Sequence, residues 1–467
     1  MWLSLPCSSD FASQNQPQFL QKGSFRCAKA MKIYMAIIDH SILNDKNMSI
    51  IENEYIKLGV NLGLGGAVTY LCEHGRENLI NSSDWGRQVQ MSFYSGPNLF
   101  TPNGKQPRAE WRGLGWNPIQ SGDSFGHRAR ILEHKNTGGE IYVKCIPMQW
   151  PLDNEPGECT FETRYRLDGR SVIIESRLNN ARSDTTQYPA RHQELPAVYT
   201  NGVWYKLVSY ICSKPYSGDD MTVLIDRYDG KGWPWISYIP TESWAALVDD
   251  DNYGLGVYNQ STNMFIGGFA GEKGTGGEKD SPCGYISPLH TEILDHNIKY
   301  SYVYRLIVGT VDEIRDVVYS VSPKTAQTRF DFAKTRDHWS YTNIVDKGYG
   351  NQDCLDFSFT GADESLNSPF CYWTNGQFNR VILDADIASD MSDSGLACRL
   401  VANLYDGLGH GSEHIVKSEP IEFTLHNGRG QTRIEIDKSK LKGRGVFGFS
   451  IVFGQKGRAK IYSLTIE

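Results

Sequence analysis

Apolar and polar positions alternate over long parts of this chain. From Ile141 it runs IYVKCIPMQW, then ECTFETRYRL, then RSVIIESRLNN, with nearly every second position apolar. A strand with one buried face needs that period of two, because successive side chains point to opposite faces of a sheet. The Asp168-Gly169 pair between the last two runs predicts a tight hairpin. Upstream, Tyr55 to Val60 opens a strand that leads into the glycine-punctuated NLGLGGAVTYL, and downstream NIKYSYVYRLIVGT reads as a sheet strand. DEIRDVVYSV, opened by Thr310, predicts one short helix, and helix is otherwise scarce.

After SPKTAQT the texture changes. From Phe330, strands such as FCYWT, RVILDADI, CRLVANLYD, PIEFTLH, QTRIEIDK, GVFGFSIVFG and RAKIYSLTIE alternate with polar turns, at the spacing of a β-sandwich or jelly roll. The expected fold class is all-β, in two domains at residues 49–322 and 330–467 with the boundary between 322 and 330. A chain of 467 residues is long enough for two or three separate cores. Residues 1–48 precede the first clear strand and carry Met31, Met35 and Met48, so they read as a loose extension or an upstream start.

Charge narrows the partners. The net charge is −7 and no block of consecutive Lys or Arg occurs, so the electrostatic footprint of a nucleic-acid or anionic-membrane binder is missing. No stretch of about twenty apolar residues occurs, and neither Met1 to Leu5 nor MKIYMAII has the form of a secretory signal, so a cytoplasmic location is the default expectation. Eleven Trp, 25 Tyr and 46 Gly suit many strands, tight turns and exposed stacking surfaces, which points to an oligo- or polysaccharide partner. The ten cysteines form no CxxC pair; Cys145 with Cys159, or Cys354 with Cys371, could bridge, but buried free thiols are expected.

The candidate chemistry centres on QYPARHQELPAVYTNGVWYKLVSY, residues 187–210. Pro189 and Pro196 exclude an ordinary helix, and in a strand His192 and Glu194 project from one face as an acid/base pair. Arg191, Tyr188, Tyr199, Trp204 and Tyr205 surround them with a guanidinium and flat apolar rings, a mixture that suits the hydroxyl edges and C–H face of a sugar. The alternative is an internal Glu194–Arg191 ion pair among packing aromatics.

Further candidates lie elsewhere. Arg87, Gln88 and Gln90 follow Trp85 in a segment dense in polar recognition groups, and the Arg87 fork suits a carboxylate or vicinal hydroxyls, or else a structural salt bridge. The loop WRGLGWNPIQSGDSFGHRARI carries Trp111, Trp116, Asn117 and Gln120 as a wall of the site, with Asp123 and His127 as second catalytic candidates. The competing reading is that Asp123 organises the turn through the backbone and His127 is its partner. Glu242 is a possible second carboxyl, with Trp233, Trp235 and Trp244 nearby in sequence. Gly63, Gly65 and Gly66 superficially match a phosphate loop, but a β-rich segment follows where a helix is required. Asp249 to Asp251 read as a solvated turn; no cofactor and no catalytic metal are expected.

In the order of these features, an opening strand with a glycine-rich turn, the Arg87 segment, a mid-chain His and acidic residues on one concave face, residues 50–320 resemble the galactose-mutarotase-like supersandwich. That architecture occurs in aldose epimerases, polysaccharide lyases and several glycoside hydrolases. The epimerase His-Pro-Tyr-Phe-Asn motif is absent, which argues against plain mutarotation. Residues 330–467 are similar to galactose-binding-like jelly rolls appended to carbohydrate-active enzymes, with Trp339, Tyr341, Trp373 and Tyr405 as possible stacking residues. The resemblance implies a carbohydrate-active enzyme, with three readings: a glycoside hydrolase using Glu194 with Asp123 or Glu242, an epimerase or lyase using His192 or His127 as base, or a non-catalytic glycan-binding protein.

Overall fold

The structure, a computed structural model, describes residues 45–225, 234–346, 348–349, 353–389, 395–443 and 445–467. Trp233 and nearly all of the 1–48 extension lie outside the described residues. Among the described residues the fold is all-β apart from one α-helix and a few single 3₁₀ turns. Two large antiparallel sheets dominate the first part of the chain. In spatial order, the first sheet holds Met48–Glu52, Ile56–Asn61, Ala67–Glu73, Val89–Gln90, Ala197–Asn201, Cys283–Glu292, Phe265–Ala270 and Trp235–Tyr238, with Arg191–Glu194 also paired to Cys283–Glu292. The second runs Thr222–Ile225, Lys206–Ser209, Trp244–Val248, Tyr253–Tyr258, Lys299–Thr310, Ser171–Asn180, Cys159–Asp168, Glu140–Ile146 and Arg130–Asn136.

The alternation dictates how they stack. Leu58, Val60, Val68, Val198 and Ile286 of the first sheet share one buried core with Ile141, Val143, Val172, Ile174 and Leu306 of the second. Each such side chain stabilises the fold by roughly 1.5–3 kcal/mol when fully buried. The hairpin forms where Asp-Gly predicts it: Asp168 pairs with Ser171, and Gly169 takes a φ of 55°, a conformation that side chains with a Cβ avoid. The helix spans Val311–Val321 and starts with a capping box, Thr310 Oγ1 accepting from the Glu313 amide while Glu313 accepts from the Thr310 amide. Val311, Ile314 and Val318 bury that helix against Trp244, Ala246, Tyr258 and Ile307 on the outer face of the second sheet.

Strands from Arg329 onward make two sheets of their own. One orders Arg329–Asp331, Gly457–Ile466, Arg380–Ser389 and Gly428–Glu435, with Leu355–Phe359 also on Gly457–Ile466; the other is built around Gly445–Phe453 and Leu396–Tyr405. Trp339, Trp373, Phe357, Phe449 and Phe453 fill the space between them. The four rings considered for sugar stacking, Trp339, Tyr341, Trp373 and Tyr405, are all buried, so their faces are spent on packing.

Several contacts fasten the carboxy-terminal sheets to the first pair. Tyr372, Tyr405 and Phe447 belong to the core of the first two sheets. Gly411 bridges Tyr238, and the Ile239 amide donates to His410 O at 3.1 Å, which covers the free edge of Trp235–Tyr238. Arg336 inserts its guanidinium between two carboxylates, bonding Asp295 at 2.7 and 3.2 Å and Asp346 at 2.6 and 2.9 Å. The cysteines among the described residues are free thiols. No helix among them is long and apolar enough to cross a membrane.

Candidate functional site

His192 and Glu194 lie two apart on Arg191–Glu194, paired so that His192 stands opposite Thr291 and Glu194 opposite Leu289. The shared face follows from the strand period, and His192 Nδ1 meets Thr291 Oγ1 at 3.0 Å. The strand ends at the cis Leu195–Pro196 peptide. The chain resumes as Ala197–Asn201, which sets Tyr199 opposite Tyr285. Tyr285 pairs onward with Gly268, and Gly268 with Trp235. Because Gly268 carries no side chain, the Trp235 ring crosses the gap and lies 5.1 Å from Tyr285, whose other neighbour Tyr199 is 4.6 Å away. The result is a continuous aromatic platform beside Glu194, on the face of the first sheet that points away from the core.

The electrostatics of the pair follow from its surroundings. Burial pushes the Glu194 carboxyl above its ordinary range, against the opposing pull of Tyr285 and Tyr94. Tyr94 OH donates to Glu194 Oε2 at 3.0 Å. Tyr285 acts on the same carboxyl, although its buried hydroxyl forms no well-shaped hydrogen bond among the described residues. Burial also pushes the His192 imidazole below its usual value. Yet Glu194 is only half-buried and His192 is exposed at the surface. Burial raises the phenols of Tyr94, Tyr199 and Tyr285 well above their normal range, so they remain proton donors.

Asp84 and Arg87 border this platform. Burial raises the Cys283 thiol to about 11; Arg87 pulls it down and Asp84 pushes it up, and Asp84 also raises the Tyr199 phenol. Arg87 Nη1 donates to Ser281 O at 2.7 Å, and its Nε holds Asp84 Oδ2 at 3.1 Å. The Asp84 side chain is 56% exposed. Arg87 is therefore engaged in the salt bridge that sequence reasoning set against ligand binding.

The other expected site residues take structural positions. Asp123 is buried and accepts from the amides of Phe125 and His127 on one oxygen and of Asn154 on the other, which also lies 2.9 Å from His127 Nδ1. That is the turn-organising alternative, with His127 as its partner. Glu242 is fully buried, with Tyr216 N and Tyr319 OH on Oε1 and Trp244 Nε1 on Oε2. It lies beneath the helix on the outer face of the second sheet, across the sandwich from Glu194, and cannot serve as its partner.

Gln90 spends its side-chain amide on Trp85 O, Arg87 O and Ser121 N, and Asn117 donates through Nδ2 to Phe93 O and through its backbone N–H to Gln149 Oε1. Trp116 and Trp204 are core residues. Trp111 packs edge-on against Trp150 at 6.0 Å. Arg191 does not pair with Glu194; its Nη1 donates to Ser95 O, Asn98 Oδ1 and Leu114 O and ties down the 95–114 loop. Asp249 Oδ1 accepts from the amides of Asp251 and Tyr253, the turn expected there. Of the sequence-predicted residues, Glu194, His192, Tyr199 and Trp235 come together. Tyr94, Tyr285, Thr291 and Asp84 were missed; Tyr285 alone had a local cue, its place in the alternating run CGYISP.

No family model matches the chain, and no curated protein matches it by sequence. Among solved structures it is similar to a galactose mutarotase-like protein from Lactobacillus casei, at 11% identity over 56% of this chain and 99% of that one, with a TM-score of 0.36. A galactose mutarotase related enzyme from Lactobacillus acidophilus matches at 13% identity over 57% and 99%, with a TM-score of 0.37. An alpha-galactosidase from Lactobacillus brevis matches at 9% identity over 57% of this chain and 40% of that one, with a TM-score of 0.32. These likenesses add nothing to the all-β architecture that the strands themselves establish.

Proposed function

We propose that the protein is a carbohydrate-active enzyme that cleaves a glycosidic bond over the Tyr199–Tyr285–Trp235 platform, with Glu194 as the proton donor. One observation carries this reading: a carboxyl group that burial keeps protonated beyond its ordinary range stands beside a row of aromatic rings packed tilted against one another. Cleavage needs a proton delivered to the leaving oxygen, and a raised carboxyl is the group that supplies it. Tyr199 and Trp235, both partly exposed, offer apolar faces to a sugar's C–H surface over the buried Tyr285 ring, while the Tyr94 phenol holds Glu194 in place. Asp84, largely exposed, held by Arg87 and felt at Tyr199, is the candidate for a second carboxyl that attacks or activates water.

A second reading has a specific observation in its favour. His192 is pushed toward its neutral form and oriented by Thr291, as a base for epimerisation or β-elimination requires. Incubation with a panel of plant and microbial glycans, read by mass spectrometry, separates the possibilities. Hydrolysis adds water to the products, a lyase leaves an unsaturated uronate that absorbs in the ultraviolet, and binding without products favours a lectin. Glu194→Gln is expected to cut turnover about 10²- to 10⁴-fold; turnover equal to wild type removes Glu194 from the chemistry.

A further inference from the structure

We propose that His290, Glu292 and His338 form a binding site for a zinc-class divalent metal ion that ties the carboxy-terminal sheets to the first two. The site is separate from the Glu194 platform and does not rest on the glycosidic reading. His290 and Glu292 are two apart on Cys283–Glu292, so they share the face opposite to Leu289 and Thr291. His338 arrives from the carboxy-terminal part of the chain. It follows Asp337 in a stretch where both residues hold positive φ, 48° and 66°, a backbone that non-glycine residues keep only where their surroundings demand it. That backbone turns the His338 imidazole onto the carboxylate, with Nδ1 2.7 Å from Glu292 Oε1.

His338 Nδ1 and Glu292 Oε1 are hydrogen-bonded, closer than two ligands of one ion stand, so an ion that enters takes the place of the shared proton and opens that pair. His290 Nδ1 lies 3.8 Å from the same carboxylate oxygen, too far for a hydrogen bond. It is close to the spacing of two ligands around an ion with bonds of about 2.0–2.2 Å. All three donor atoms fall within 4.8 Å of one another. The two imidazole rings stand 4.4 Å apart, tilted by 41°. The outer partners are those a metal site needs. His290 Nε2 meets Ser261 Oγ at 3.0 Å, which leaves Nδ1 directed at the cluster, and Tyr300 OH donates to Glu292 Oε1 at 2.8 Å. Two imidazoles and one carboxylate suit zinc better than calcium or magnesium, which prefer all-oxygen sites.

The test uses tag-free full-length protein, stripped with a chelator and then titrated with zinc by calorimetry, with bound metal measured by elemental analysis after dialysis. The expected result is one tightly held zinc per chain and a rise in melting temperature on loading. His338→Ala and Glu292→Gln are expected to weaken binding by at least about 10-fold, while His127→Ala, in the separate Asp123–His127–Asp153 group, leaves it unchanged. Wild-type protein that retains no zinc after dialysis and gives no heat overturns the proposal, whether or not the variants fold. Zinc binding that is equal in wild type and in folded His338→Ala and Glu292→Gln also overturns it.

Discussion

Arg336→Met isolates the strongest polar link between the two halves of the chain. The guanidinium is 5% exposed and bonds two carboxylates at once, each through two of its nitrogens. Burial tends to raise the Asp346 carboxyl, but Arg336 and the Tyr341 hydroxyl outweigh it and hold that group below its usual range. Removing the cation leaves two buried negative charges, a change that typically costs about 3–5 kcal/mol. An independent limit comes from protonation. A carboxyl with an ordinary pKa of about 3.9 can relieve the strain at pH 7 by binding a proton, which costs about 4 kcal/mol, and at pH 5 the same step costs about 1.5 kcal/mol. The loss is therefore expected near 4 kcal/mol at pH 7 and to shrink toward pH 5.

In the wild type the depressed Asp346 contributes stability that is present above the unfolded carboxyl's pKa and is lost only as pH falls through the lower folded value, so this contribution hardly changes between pH 7 and pH 5. Guanidinium denaturation followed by tryptophan fluorescence reads the difference as a midpoint drop of roughly 1 M at pH 7. Asp346→Asn in the same chain is expected to recover much of it. A loss under about 1 kcal/mol at pH 7, or one that does not depend on pH, refutes the account.

Two predictions address the platform once a substrate is in hand. Tyr94→Phe removes a hydrogen bond that favours the ionised Glu194, so the alkaline limb of the kcat/KM profile is expected to move to higher pH; a limb that stays put or moves down contradicts Glu194 as the acid. Trp235→Ala is expected to raise KM roughly 2- to 10-fold with a smaller effect on kcat; steady-state kinetics with an unchanged KM would mean that no sugar ring rests there.

How much was legible in the sequence depends on how far each feature reaches along the chain. The Asp168-Gly169 hairpin and the Thr310 helix start are written within a few residues, and both formed. His192 and Glu194 share a face because the strand period is local, so that pairing was also readable. Tyr94 and Tyr285 meet Glu194 across about a hundred and about ninety residues, through pairings no short-range pattern specifies. Asp123 and His127 show the reverse difficulty: an aspartate with a histidine four positions on looks the same in sequence whether it caps a turn or moves a proton. Only the three amides gathered on Asp123 tell them apart. Glu242 was ambiguous for the same reason, since its partner Tyr319 comes from a helix 77 residues later. The tryptophan count promised stacking surfaces, yet Trp116, Trp204, Trp339 and Trp373 went inside, because a large ring stabilises a core at least as readily as it receives a sugar.

Tyr372, Tyr405 and Phe447 sit in the core of the first two sheets, although the chain supplies them more than sixty residues after the last strand of those sheets. The two halves therefore cannot be treated as beads on a string. A gene cut between residues 322 and 330 would yield an amino-terminal product with a greasy scar where three aromatic plugs had been, prone to self-association. Grafting the carboxy-terminal part onto another scaffold would carry those plugs into water, so any exchange of parts has to keep this seam whole.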